Sequence, residues 1–265
     1  MHKPLFLVPV TLLTACGGTG GPKTVDIAAG TDSVGGAATS ITFDAATEQY
    51  TVTVDGAEVV LDRLPAFDNG TFLAARGASD SEYGLYISES DKSSVVVFRP
   101  NFADISGGPS SSFARTGPDT LPTGGTATLT GDYQAIVQGG TATDVFVLID
   151  GEATLDIDFE MATLSGAITD RTALNPETNG RLFDGAAPTF ADLILPETTL
   201  DETGAFSGDT SGGAATVSGM TAFEVEGTYS GLLANNGTEA VGGVSVVHNL
   251  GFGGYLEVGG FAAGH

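Results

Sequence analysis

Every second residue of Glu152-Ala153-Thr154-Leu155-Asp156-Ile157-Asp158-Phe159 is apolar. An extended strand, whose side chains point to opposite faces in turn, converts that spacing into one dry face and one wet one. The same texture recurs along most of the chain. Ser40–Phe43 and Tyr50–Val54 alternate on either side of a turn-forming run, and Asp55-Gly56 suits the positive φ of a two-residue hairpin leading into Glu58–Leu61. Tyr83–Ile87 and Ser94–Phe98 continue the series. Beyond residue 125 the candidate strands lengthen: Thr126–Gln138, Val145–Asp150, Gly151–Phe159, Thr163–Thr169, Phe190–Leu195, Gly204–Asp209, Ala222–Leu232, Ala240–His248 and Gly254–Phe261. No segment carries a convincing helical period.

A meander of many strands must dispose of its two edges, and closing into a barrel removes them. The expected fold is therefore all-β. An antiparallel up-and-down β-barrel of about eight strands is expected over 125–265, behind a small β-rich region over 39–106. A two-layer sandwich is the alternative closure. Glycines inside strand patterns, as in Val241-Gly242-Gly243-Val244 and Val258-Gly259-Gly260-Phe261, read as the tight bends of a small barrel. The Gly/Pro/Ser-rich run over 107–124 has no period and reads as a linker.

The first residues have another character. His2 and Lys3 precede an apolar core, Leu5–Leu13, and Leu13-Thr14-Ala15-Cys16 follows it, which reads as a lipobox. The core is too short to span a bilayer. The expectation is a lipoprotein signal peptide over 1–15, cleaved behind Ala15, with Cys16 as the lipidated first residue of the mature chain. Several acyl chains at about 0.8 kcal/mol per buried CH₂ hold a folded domain to a membrane. The stretch 16–38 begins Gly17-Gly18-Thr19-Gly20-Gly21 and reads as a flexible tether. No acidic residue directly follows Cys16, so the expected location is the outer membrane, with exposure at the surface of a Gram-negative cell. Cys16 is the one cysteine, so the mature fold is expected to use neither a disulfide nor a thiolate metal site.

The formal net charge is −24. A polyanion of this kind repels phosphate and has no basic stripe from which to release counterions, which argues against nucleic acid and anionic lipid head groups as partners. A cationic partner is compatible, although acidity alone also keeps a surface protein dispersed. The imbalance is concentrated in the second half. From residue 120 onward lie 19 of the 33 acidic residues, against Arg171 and Arg181 alone of the nine basic ones.

Gly151–Thr169, with a strand ending in Asp-Phe that turns into one containing Leu-Ser-Gly, resembles the second hairpin of the barrel domain of the transferrin-binding protein B family. Ala205-Phe206-Ser207-Gly208 is similar to that family's Phe-Ser-Gly strand. Val225–Val246 is similar to its signature at Gly227, Tyr229, Gly231, Asn235, Glu239, Gly242 and Gly243, and Val258–His265 resembles its last strand. The resemblance covers roughly residues 125–265. It implies a lipidated surface protein whose N-terminal region corresponds to a handle domain. It also implies that the chain acts beside an outer-membrane transporter or translocator, in iron or haem acquisition. The chain departs from the receptors of that family in having a single barrel and compact loops. A shared barrel implies architecture rather than ligand.

Catalytic patterns are absent from the sequence: there is no Gly-x-Ser-x-Gly elbow and no phosphate-cradling glycine loop before a helix. The chain is expected not to be an enzyme. Asp156, Asp158 and Glu160 share one strand face about 7 Å apart in succession and could bridge a hard cation, but without EF-hand spacing they read as a solvated face. No metal site is assigned. His248 closes the apolar strand Val244–Val247 and is the candidate ligand for haem iron or a transition metal, with Tyr229, Tyr255 and Met220 as second ligands. The competing reading is a hydrogen-bonded residue at a strand end, and no cofactor is otherwise expected. Two functions follow: a non-catalytic surface lipoprotein that captures a protein or small solute, or a structural, adhesion-like envelope lipoprotein with no small ligand.

Overall fold

The computed structural model describes residues 23–25, 38–54, 56–77, 84–99, 109–117, 119–139, 145–175, 188–217, 219–250 and 254–265. The segment read as a signal peptide, Cys16 and the glycines that follow it lie outside the described residues. Among those described, twenty strands form three sheets, and Pro65–Phe67 makes one 3₁₀ turn.

The first eight strands are β1 (Lys23–Val25), β2 (Ala38–Asp44), β3 (Gln49–Val54), β4 (Ala57–Arg63), β5 (Leu73–Gly77), β6 (Gly84–Glu89), β7 (Ser93–Arg99) and β8 (Ser110–Arg115). They pair antiparallel in chain order. Val54 pairs with Ala57, and Gly56 takes φ +81°, as the two-residue hairpin requires. The sheet encloses a core of Ile41, Tyr50, Val52, Leu61, Leu85, Ile87, Val96 and Phe98. Its other face, with Phe72, Tyr86, Val95, Val97 and Phe113, is equally apolar and packs on the second domain. A strand buried on both faces reads as a continuous apolar run, which is why Val95-Val96-Val97-Phe98 does not alternate.

Two expectations are corrected here. The tether assigned to 16–38 contains β1, which pairs with β2 from Lys23↔Phe43 to Val25↔Ile41. Three residues are too few for a period to show. The linker assigned to 107–124 contains β8, which pairs with β7 from Ser93↔Arg115 to Phe98↔Ser110. Ser110, Ser111 and Ser112 are buried there. Ser111 stands opposite Val97 on the face toward the barrel, and Ser110 and Ser112 stand opposite Phe98 and Val96 on the face of the handle's own core, so small side chains fit two crowded layers and a composition that suggests a loop forms a strand.

The remaining strands are β9 (Thr126–Gly139), β10 (Val145–Asp158), β11 (Thr163–Leu174), β12 (Thr189–Phe190), β13 (Leu193–Thr199), β14 (Ala205–Asp209), β15 (Ser211–Gly212), β16 (Ala215–Val217), β17 (Met220–Thr221), β18 (Glu224–Ala234), β19 (Glu239–Asn249) and β20 (Gly254–Ala263). Nine of them form an antiparallel sheet in the order β14-β18-β19-β20-β9-β10-β11-β13-β15. Eight strands of five residues or more, plus the two-residue β15, thus make the expected up-and-down barrel. β12, β16 and β17 form a small separate sheet. The candidates 145–150 and 151–159 are one strand, β10. The barrel is nearly closed: β13 and β14 approach one another without a backbone ladder. Pro196 has no N–H to donate. The seam is bridged by side chains, with Thr198 Oγ1 donating to the Ser207 carbonyl at 2.6 Å and Tyr229 OH donating to that of Pro196.

The strand glycines serve close approach more than bending. A Cβ on Gly242 would lie 2.3 Å from the Phe261 ring, one on Gly231 2.4 Å from Phe206, and one on Gly208 2.8 Å from Tyr229. In each pair the aromatic residue sits opposite its glycine in register. Rings therefore lie flat across the neighbouring strand, filling an interior too narrow for a ring and a Cβ together. In the last strand the two glycines divide the work. Gly259 faces inward against Tyr133, whereas Gly260 faces outward, where a Cβ would meet Val95 at 2.6 Å.

That outward face docks the handle. Ile136, Leu148, Leu174, Val241 and Ala262 of the barrel wall share one apolar cluster with Phe72, Tyr86, Val95 and Val97. Polar bonds ring the contact. Thr71 N donates to Asp132 at 2.6 Å, Asn69 Nδ2 to Gln134 at 3.1 Å, and Arg115 to the carbonyls of Thr203 and Leu233 at 2.6 and 2.8 Å.

Candidate functional site

Between Asp150 and Glu152 the β10–β11 register slips, so that Gly151 stands opposite two residues, Asp170 and Arg171. A bulge re-aims the side chains of the longer strand. Asp170 takes φ +53° and remains exposed, and Arg171 turns into the barrel. Its guanidinium meets Glu257 of β20. Arg171 Nη2 donates to Glu257 Oε1 at 2.5 Å and also to Oε2, while Nη1 donates to the carbonyls of Ala191 and Gly213. Tyr133 OH donates to Glu257 Oε1 at 2.7 Å, and His248 Nε2 lies 2.8 Å from Oε2. The Arg171 and Glu257 side chains are wholly buried.

Burial pushes the Glu257 carboxyl up. The Arg171 charge, with hydrogen bonds from His248 and Arg171, outweighs it and holds the group at about 2. The carboxylate is therefore ionised and only accepts, so His248 Nε2 carries the proton it shares with Glu257. Burial and the adjacent Glu257 push the Tyr133 phenol far up, which keeps it a neutral donor. Glu257 thus receives four hydrogen bonds, the condition under which a buried charge is tolerated.

This network forms the floor of a cavity of about 650 Å³ at the barrel wall beside the handle. Asp132 and Tyr133 come from β9, Asp150, Gly151 and Glu152 from β10, and Asp170, Arg171 and Thr172 from β11; Asn69, Phe190 and Asp192 complete the lining. Five carboxylates therefore surround an opening whose one cation is already paired beneath it. Among the described residues, no group of three or more His, Cys, Asp or Glu is arranged to hold a metal ion. The carboxylates are spread around the rim, an arrangement suited to extended or multiple positive charges.

His248 is fully buried in the barrel, with its ring centroid 6.1 Å from that of Phe190 and its Nε2 engaged by Glu257. It is a network member within a strand. Tyr255 stands opposite it on β20. Tyr229 lies four residues along β18 from His248's partner Val225, about 13 Å away, and donates to Pro196 instead. Met220 is exposed. His248 Nδ1 has no hydrogen-bond partner among the described residues but is sealed inside the barrel, so haem ligation by His248 requires the barrel to open. Asp156 accepts from Thr128 Oγ1 at 2.6 Å, and Asp158 closes the β10–β11 turn by accepting from the amides of Glu160 and Met161 at 2.9 Å.

A second polar cluster joins the two domains. His265 Nε2 lies 2.8 Å from Ser93 Oγ, and its Nδ1 lies 3.0 Å from Ser88 Oγ; Glu239 Oε2 accepts from Ser90 at 2.6 Å and from Ser93 at 2.9 Å. The carboxylate approaches the same imidazole nitrogen as the serine, at 3.7 Å. A hydrolytic triad needs the two partners on opposite nitrogens. Arg171, Glu257 and Tyr133 were not singled out from sequence. The available signal was the pairing of the isolated Arg171 with a carboxylate, Glu257, in an otherwise apolar strand.

No family model matches the chain, and no curated protein matches it. Solved structures similar in fold include transferrin-binding protein B from Haemophilus parasuis Hp5, in a Tyr-167-Ala and Trp-176-Ala double mutant. It is 14% identical with a TM-score of 0.46, over 80% of this chain and 40% of that one. Another is the isotype 1 transferrin-binding protein B from serogroup B Neisseria meningitidis, at 14% and 0.42 over 85% and 41%. A third, described as a surface lipoprotein, is 11% identical with a TM-score of 0.37 over 91% of this chain and 97% of its own. The chain thus spans about two fifths of the length of the transferrin-binding protein B chains it matches.

Proposed function

We propose that this chain is a non-catalytic, lipid-anchored surface protein that captures a positively charged protein segment or small organic cation in the cavity between barrel and handle. The observation that carries the reading is the cavity itself, with five carboxylates over a floor in which Arg171 is already neutralised by Glu257. A cation entering it meets negative charge over a buried floor whose own charges, Arg171 and Glu257, are paired with each other. Such a field steers encounter and weakens as salt screens it. Cys16 supplies the anchor and the tether gives the module reach. A transporter or translocator in the same membrane is the expected recipient of what is captured. Haem capture through His248 is the less favoured reading, because the ring is fully buried inside the barrel.

The test uses hexalysine as probe and calorimetry at about 0.05 and 0.5 M salt. One variant carries Asp150→Asn, Glu152→Gln, Asp170→Asn and Asp192→Asn. An equal-charge control carries Glu58→Gln, Glu160→Gln, Glu202→Gln and Glu224→Gln, all at exposed positions. The cavity variant is expected to lose affinity about tenfold at low salt, with the control near wild type. Equal losses in both would reduce the cavity to one part of a diffuse polyanion.

A further inference from the structure

Two of the chain's nine basic residues come together where the handle, the barrel and the connector between β8 and β9 meet. Lys92 sits in the β6–β7 turn, where Ser90 Oγ accepts from the amides of Lys92 and Ser93 at 3.0 Å and the Lys92 carbonyl accepts from the Thr116 amide at 2.8 Å. Arg115 ends β8 opposite Ser93, so the two cations leave neighbouring strand ends. From the barrel side comes the β18–β19 turn, in which Asn235, Asn236 and Gly237 take φ +53°, +58° and +78°, a left-handed run that asparagine and glycine tolerate. Asp119 of the connector fastens this turn, its Oδ1 accepting from the amides of Asn236 at 2.8 Å and Thr120 at 3.0 Å. Lys92, Arg115, Thr116, Asp119, Asn235 and Asn236 line a cavity of about 120 Å³ that shares no residue with the acid-lined one.

The charges around this cavity are not matched to one another. Among the described residues, none of Lys92, Arg115 and Asp119 enters an ion pair. Arg115 Nη1 gives its two hydrogens to the carbonyls of Thr203 and Leu233, which leaves Nη2 and Nε, the edge of a guanidinium that forks onto a carboxylate. Asp119 Oδ2 is buried with no hydrogen-bond partner among the described residues, a costly state for a carboxyl oxygen. A simple anion would answer the two cations and leave Asp119 without a donor. A simple ammonium would answer Asp119 and face both cations. A molecule that carries the two charges one carbon apart answers all three, and being neutral overall it is not repelled by a chain of net charge −24.

We infer that this cavity binds a small α-amino acid as its zwitterion, with the carboxylate between Lys92 and Arg115 and the ammonium toward Asp119. At about 30 Å³ per water the cavity holds about four waters' volume, room for about five or six non-hydrogen atoms. Glycine and alanine have that size, and a branched or aromatic side chain exceeds it. The lining includes Lys92 and Asn236, whose exposed side chains can shift to admit a donor to the covered Oδ2. The ligand touches handle, connector and barrel at once, so its binding also ties the two domains together. The inference does not rest on the capture reading, since the two cavities differ in every residue and in the sign of their charge.

The test is a titration of the full chain followed by its backbone amide resonances, with glycine, alanine, leucine, acetate and methylamine as probes. Glycine is expected to shift the amides of Thr116, Thr120 and Asn236 saturably, with half-saturation below about 1 mM, and alanine to do the same. Acetate, methylamine and leucine should each bind about tenfold more weakly or worse. Asp119→Asn keeps an acceptor for the Asn236 amide and should weaken glycine about tenfold without weakening acetate, whereas Lys92→Gln should weaken both. Glycine that gives no saturable shift at these amides overturns the site. Acetate that binds as tightly as glycine, or glycine indifferent to Asp119→Asn, overturns the zwitterion, and leucine that binds as tightly as glycine overturns the enclosed seat. Should Asp119→Asn not fold, Lys92→Gln, at an exposed position, decides: an unchanged glycine affinity there refutes the inference.

Discussion

Replacing Glu257 with Gln removes the buried negative charge that pairs with Arg171 in the barrel interior while keeping the shape of the side chain. Arg171, wholly buried, then has only backbone carbonyls and an amide oxygen for its charge. The cost follows from the carboxyl itself, which its partners, against the effect of burial, bring from 4.5 to about 2. A difference of about 2.5 units corresponds to about 3 kcal/mol of stability at neutral pH. Leaving one partner of a buried pair uncompensated costs a similar amount, about 3–5 kcal/mol. A depressed carboxylate contributes its full share above its unfolded value and loses it as pH falls through the folded one. The deficit of Glu257→Gln should therefore be largest near pH 7 and narrow by about 2 kcal/mol at pH 3. Urea unfolding followed by far-ultraviolet circular dichroism at both pH values measures it. A variant within 1 kcal/mol of wild type at pH 7, or a deficit that does not change with pH, would refute the account of the network.

Gly260→Val places methyls against Val95 and Val97 and should cost about 1–3 kcal/mol by overpacking, raising hydrogen exchange in β7 more than in β10. Residues 120–265 alone should fold into a β domain that self-associates, because Ile136, Leu148, Leu174 and Val241 lose the handle that covers them; a monomeric barrel by light scattering would contradict this. Cys16→Ser should leave the protein unprocessed or released from membranes, and a variant that fractionates with membranes like wild type would remove the anchor from the account.

The strands were legible where one face is dry and the other wet. Glu152–Phe159 announced itself by period, and so did the hairpin into Thr163. Legibility failed at β8, where three buried serines mimic a loop. β7 was read from its apolar run, Ser94–Phe98, although two dry faces erase the alternation that would have told its faces apart. The site was largely hidden for a different reason. Strict alternation from the inward Ile168 would send Asp170 into the barrel and Arg171 out. The bulge opposite Gly151 reverses both, and nothing in Gly151 alone marks it as a register slip rather than a bend. His248 was legible as unusual, but its partner Glu257 stands on the next strand and becomes visible only through the β19–β20 register. The glycine pairs were noticed and given the wrong physical role, since their purpose depends on which ring crosses them.

The proposed capture site is tested most directly by photo-crosslinking from two positions in the intact protein, in whole cells that make it, followed by mass spectrometry of the linked peptides. A photoreactive side chain at Thr172, in the cavity wall, is predicted to trap a lysine- or arginine-rich segment, with the yield falling as salt rises. The same group at exposed Met161, at the far end of β10, should trap none. Equal trapping at both positions, or trapping at Met161 alone, would contradict the assignment of the cavity as the place where this protein holds its ligand.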